Sequence, residues 1–246
     1  MKKFAIALAG VALLALTGCA TEDEFDPTTM AVQDGVDAYD GGDYGKALAV
    51  LRPHADAGDA KAQLQLGYMY ARGQGVTQDL DEALKLYQAS AERGNAEAMN
   101  AIGYRYQYGT GVKADIKQAM HWYCAAARQG EPRAMNNLAK MLDDGKQLKK
   151  DQAQAVELWR VAAMTGHAPA QYNLGLAYLN GKVGSVDERQ AQVWFSRAAD
   201  QKFQPAQQLM DQFAQKHQLA TLGEDDLAFN PLITMNYEPR VCKGIE

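Results

Sequence analysis

The sequence predicts an all-α protein, a solenoid of stacked helix pairs. Three observations carry that prediction. Alanines stand at Ala62, Ala98, Ala134, Ala170 and Ala206, each 36 residues after the last, and fixed self-similarity of this length marks a repeat array. Within each copy the apolar residues recur with helical spacing. Turn and cap residues also keep register: Gly73, Gly109, Gly145 and Gly181, then Asp79, Asp115, Asp151 and Asp187.

The chain opens MKKFAIALAGVALLALTG. Lys2 and Lys3 before the apolar run from Phe4 to Leu16 make a secretory signal segment, too short to span a bilayer comfortably, over residues 1–18. Leu16-Thr17-Gly18-Cys19 resembles a bacterial lipobox, in which cleavage leaves Cys19 to carry lipid; the alternative is a buried cysteine ending an ordinary signal. Ala20 resembles an outer-membrane address, so the resemblance implies a lipid-anchored protein facing the periplasm. Residues 19–29 form an acidic tether with Glu22, Asp23, Glu24 and Asp26, and about ten extended residues reach roughly 30 Å. Net charge is −5, and loss of Lys2 and Lys3 with the signal takes it to −7. That argues against a nucleic-acid partner and against direct contact with anionic membrane, leaving the lipid on Cys19 as the membrane attachment.

Residues 30–217 are assigned to the solenoid, about five helix pairs and a final helix, long enough for one continuous core. In the first helix of a pair, Ala62, Leu66 and Tyr70, matched by Ala98, Ile102 and Tyr106, recur at i, i+4 and i+8 on one face. In the second, Ala83, Tyr87, Ser90 and Ala91 are matched by Ala119, Tyr123, Ala126 and Ala127, then by Ala155, Trp159, Ala162 and Ala163, then by Ala191, Phe195, Ala198 and Ala199. Small residues let helices approach, and the aromatic fills the gap between pairs. Gly67, Gly103 and Gly175 lie inside first helices, where glycine costs about 1 kcal/mol against alanine, so close packing is their expected reason. Each cap Asp is followed three residues later by Glu82, Gln118, Gln154 or Gln190, a capping-box spacing. Pro132, Pro169 and Pro205 open later first helices, where the missing amide hydrogen costs little.

LGYMYARGQGVTQDLDEALKLYQASAERGN resembles the Sel-one-like repeat, a relative of the tetratricopeptide repeat. YDGGDYGKALAVLRPHADAGDAKAQLQLG resembles the half-diverged first pair of such arrays. The likeness covers about residues 30–217; GKQLKKD with Ala139 in the third copy and GKVGSVD in the fourth depart from it by losing the second loop glycine. It implies a right-handed α-solenoid whose first helices line a concave surface for protein partners.

Chemistry-bearing motifs are scarce. Gly73-x-Gly75 and Gly109-x-Gly111 lie between helices without the strand or third glycine of a dinucleotide loop; helix stop and turn is the better account. DYGKA at 43–47 has Ala47 where a phosphate-binding loop needs Ser or Thr. His54, His121, His167 and His217 sit at different repeat positions with no ligand spacing, and neither a Gly-x-Ser-x-Gly elbow nor a zinc-protease helix occurs. No enzyme, cofactor, metal or small-molecule substrate is expected. Some cysteine-rich relatives are called β-lactamases, but the paired cysteines of each repeat are missing here.

With Cys19 lipidated, Cys124 and Cys242 remain for an oxidising compartment and form a candidate disulfide, the alternative being two free thiols. Cys124 aligns with the polar Gln88, Arg160 and Ser196, so it is expected to point away from the core. The tail, residues 218–246, lacks helical period, yet carries Leu227, Phe229, Leu232, Ile233, Met235 and Tyr237. It is expected to pack on the solenoid, capping the last helix or plugging the groove, and it can reach roughly 80 Å when extended.

Groove candidates flank the buried stripe of the first helices: Tyr68, Arg72, Asn100, Tyr104, Tyr108, Asn136, Lys140, Tyr172 and Asn173. Asparagine suits a peptide backbone and tyrosine gives contact area at low entropic cost; alternatively the asparagines only bond neighbouring turns. The expected function is a lipid-anchored periplasmic scaffold for a protein or peptide partner. The alternative is an immunity protein blocking a periplasmic toxin, which some Sel-one-like lipoproteins resemble.

Overall fold

The computed structural model describes residues 27–215 and 237–245. The signal segment, Cys19, most of the tether and residues 216–236 lie outside the described residues. Helices α1 (Pro27–Asp40) and α2 (Tyr44–Asp56) form the first pair, α3 (Ala60–Arg72) and α4 (Leu80–Glu92) the second, α5 (Ala96–Tyr108) and α6 (Ile116–Arg128) the third. Then come α7 (Pro132–Asp144) with α8 (Gln152–Met164), α9 (Ala168–Leu179) with α10 (Glu188–Asp200), and α11 (Gln204–Gln215) alone. Among the described residues there is no strand. Each helix packs on the next, giving an all-α solenoid.

The aromatic stripe builds the core. Tyr87, Tyr123, Trp159 and Phe195 are buried between pairs, each contributing about 2–3 kcal/mol by removal from water. The glycines opposite them are there for room. A Cβ on Gly67, Gly103 or Gly175 would lie 2.7, 2.7 or 2.6 Å from the ring of Tyr87, Tyr123 or Phe195. In the third repeat, where the ring is Trp159, the first helix carries Ala139 instead.

The caps form differently from the sequence expectation. Asp79 and Asp115 each accept from two early amides, and Asp151 and Asp187 from one, at Gln154 and Gln190. The return half of the box is replaced: the amides of Asp79, Asp115, Asp151 and Asp187 donate instead to the carbonyls of Tyr70, Tyr106, Leu142 and Tyr178 across the loop, at 2.9–3.1 Å. A main-chain acceptor therefore satisfies the donor that Glu82, Gln118, Gln154 or Gln190 would otherwise reach. Gly73 and Gly109 end α3 and α5 at φ 67° and 69°, the left-handed stop.

Residues 237–245 form a strap with a 3-10 turn at Arg240–Cys242. Cys242 is joined to Cys124 of α6, with Cα atoms 5.3 Å apart. Both are fully buried, so Cys124 does not point into solvent as its polar counterparts suggest. It belongs instead to the buried core cluster, together with Cys242 of the strap. Arg128 donates to the carbonyls of Cys242 and Ile245 at 2.7 and 2.8 Å. With the Gln154 amide turned so that its oxygen faces the strap, Oε1 accepts from the amides of Arg240 and Val241. The described strap thus lies on α6 and α8, neither over the final helix nor in the groove.

Candidate interaction site

The first helices make the inner face. Across pairs, α1 meets α3, α5 meets α7 and α7 meets α9, whereas successive second helices are more widely spread. Curvature toward the first helices follows from that difference. Between α3 and α5 the approach is looser, and a cavity of about 330 Å³ opens there.

Four of the nine sequence candidates meet at this cavity: Tyr68, Arg72, Asn100 and Tyr104. Tyr68 Oη donates to Glu97 Oε1 at 3.0 Å, and its ring packs against Tyr87 with centroids 5.5 Å apart. Burial, with Glu97 adding to it, pushes the Tyr68 phenol far above its ordinary value, so it stays a neutral donor. Arg72 donates to Tyr39 Oη at 2.6 Å while its Cζ lies 5.3 Å from the Tyr68 ring. Tyr104 is 50% exposed and Tyr108 54%, with ring centroids 4.5 Å apart.

The asparagines bond across repeats, Asn100 doing so while lining the cavity. Asn100 and Asn136 are 8% and 7% exposed. Asn137 Nδ2 donates to Asn100 Oδ1 at 3.0 Å, and Asn173 Nδ2 to Asn136 Oδ1 at 2.8 Å. They form rungs from one repeat to the next, the structural alternative for this position. Lys140 is exposed elsewhere on the face. Tyr172 is half-buried against Phe195 and Phe203, so it belongs largely to the C-terminal core.

Sequence reasoning missed Arg105, Tyr87 and Leu80, which complete the cavity wall. Arg105 donates from Nη1 to the carbonyl of Thr110 at 3.0 Å and lies 5.1 Å over the Tyr87 ring. Burial pushes the Tyr87 phenol up to about 12, against an opposing pull from Arg105. The signal was available: position 105 aligns with Met69, Met141 and Ala177, and only here does the register hold a charge.

The repeat description called Sel1 matches residues 60–95, 96–131, 132–167 and 168–203, more than half of the chain. The chain belongs to the Sel1 repeat family. Among solved structures, a Sel1 repeat protein from Oxalobacter formigenes is similar at 29% identity and TM-score 0.67, over 79% of this chain and 80% of its own. The c5321 protective antigen of uropathogenic Escherichia coli, with an SLR fold, is similar at 28% identity and TM-score 0.62 over 81% of this chain, which spans only 44% of that protein. Immunity protein Pa5087 from Pseudomonas aeruginosa shares the fold at 22% identity and TM-score 0.56, over 74% of this chain and 69% of its own. No curated protein matches the chain significantly. A Sel1 repeat solenoid is a protein-interaction architecture, and members of the family are generally non-enzymatic. Among the described residues no His, Cys, Asp and Glu group could hold a metal, and no helix is long and apolar enough to cross a membrane.

Proposed function

We propose that this Sel1 repeat chain is a lipid-anchored periplasmic scaffold that holds a protein partner in its concave groove near the outer membrane. The observation that carries the groove is the Tyr104–Tyr108 pair. Large exposed apolar side chains are few among the described residues, and these two stand together, Tyr104 in the cavity wall and Tyr108 packed on it. Aromatic pairs of this kind anchor interfaces. The anchor is supported by Leu16-Thr17-Gly18-Cys19 followed by Ala20, and the acidic residues after Cys19 favour a solvated tether.

The double substitution Tyr104→Ala with Tyr108→Ala tests the groove. Co-purification from solubilised envelope should lose its partner band while the melting temperature stays within a few degrees of the unsubstituted chain. Retention of the partner, or an equal loss of stability, refutes an interaction role for the pair.

An immunity role is the second reading, favoured by the fold shared with Pa5087 and by the chain's net charge of −5, which suits covering a basic active site. Toxicity of an effector encoded beside this gene, relieved by co-expression of this chain, separates it from the scaffold.

A further inference from the structure

Position 105 breaks the repeat. Its counterparts Met69, Met141 and Ala177 are buried apolar residues, and Arg105 is buried with them, 5% exposed. A guanidinium remains charged in proteins, and burying it without a counter-charge is costly. Among the described residues, Arg105 has no carboxylate partner. The Thr110 carbonyl and the Tyr87 ring face part of its charge, and neither is an anion. Among the described residues, the lining of its cavity carries a second guanidinium, Arg72, and no Asp or Glu, in a chain where acids outnumber bases by 30 to 25. The described acids thus stay out of one concave site whose wall holds a cation.

We propose that this cavity binds the C-terminal end of a partner polypeptide, its α-carboxylate taken by Arg105 and Arg72 and its apolar last side chain packed against Tyr68, Tyr87 and Leu80. Resting on the groove reading, the proposal names what enters the groove. Guanidinium forks match carboxylate geometry and bind it through two parallel bonds. The volume, about 330 Å³, exceeds what a carboxylate needs, and beside the guanidinium groups the wall is aromatic and aliphatic at Tyr68, Tyr87, Tyr104, Leu80, Ala71 and Ala101, with Gln78, Asn100 and Thr110 as its polar parts. A terminal residue supplies the anion and the apolar body in one unit, entering end-on. An internal Asp or Glu has a short side chain and brings chain on both sides to the mouth, leaving those walls uncovered. Residues preceding the terminus would then pass Tyr104 and Tyr108.

Calorimetric titration of the full chain with N-acetyl-Ala-Ala-Leu and N-acetyl-Ala-Ala-Phe, as free acids and as C-terminal amides, tests this directly. N-acetyl-Ala-Glu-Ala-amide serves as the internal-acid arm. The free acids should bind at least tenfold more tightly than the amides. Arg105→Met, which places at 105 the residue that the repeat uses at 69 and 141, should bring the free acids down to the amide level without lowering the melting temperature. Equal binding of acid and amide, an internal-acid peptide that matches the free acids, or no binding of either acid at millimolar peptide overturns the proposal. If the Tyr104 and Tyr108 substitutions still abolish partner capture while acid and amide are not distinguished, the carboxylate site is refuted and the interaction face stands.

Discussion

His167 illustrates how a repeat tolerates a poor residue at one position. Asp59, Asn95 and Glu131 cap α3, α5 and α7 with side-chain acceptors, whereas His167 stands before α9 with no such bond and a buried Nδ1 lacking a partner. Burial, and secondarily the nearby positive charge of Arg133, lowers its pKa to about 4. The folded chain therefore binds fewer protons than the unfolded chain between that value and about 6.5. The contribution of this group to stability is fully present above about 6.5 and is lost as pH falls through 4. His167→Asn should supply the missing cap, worth about 1 kcal/mol, and reduce the fall in melting temperature between pH 7 and pH 4.5. Thermal melts of both chains across that range check it, and parallel curves would contradict it. Arg105 is the opposite case at this scale, a costly residue that coincides with a cavity. Both were visible as departures from register, His167 from a row of polar caps and Arg105 from a row of apolar core residues. A search for recognised catalytic spacings passes over Arg105 because its meaning lies in what its counterparts are.

At the scale of the element, the helix pair was largely legible because its signals are local. A period of 36, a helical apolar stripe and an Asp at each second-helix start all act within a few residues of themselves. What the spacing could not reveal was which partner satisfies a donor: the capping-box positions are present, yet the loop returns each cap amide to a first-helix carbonyl. The asparagines show the same limit, since i to i+37 bonding across repeats depends on how closely neighbouring pairs stack. The close glycine–ring contact yields a sharper test. Gly103→Ala gains about 1 kcal/mol of helix propensity, but its Cβ would meet the Tyr123 ring at 2.7 Å. That ring is fully buried and pinned by a 2.7 Å hydrogen bond from Tyr123 Oη to Gln107 Oε1. Overpacking of about 1–3 kcal/mol should prevail, and urea unfolding should show net destabilisation. A stabilised variant would show that the ring can retreat.

The whole molecule is organised by a division between its two faces. First helices draw together on one side and leave the cavity between α3 and α5; second helices carry the strap on the other. Of the strap, only the candidate pairing of Cys124 with Cys242 was legible, from the cysteine count; no local pattern encodes where the rest of residues 237–245 lie, more than a hundred positions from α6. Their contacts with Cys124, Arg128 and Gln154 place residues 237–245 on the second-helix side. The central claim is that partners enter on the first-helix side. A photo-crosslinking residue placed in living cells at Tyr104 and, separately, at the exposed Lys85 of α4 tests it most directly. The account predicts a discrete adduct of one partner from position 104 and none from position 85. An adduct from 85 with none from 104 would contradict it.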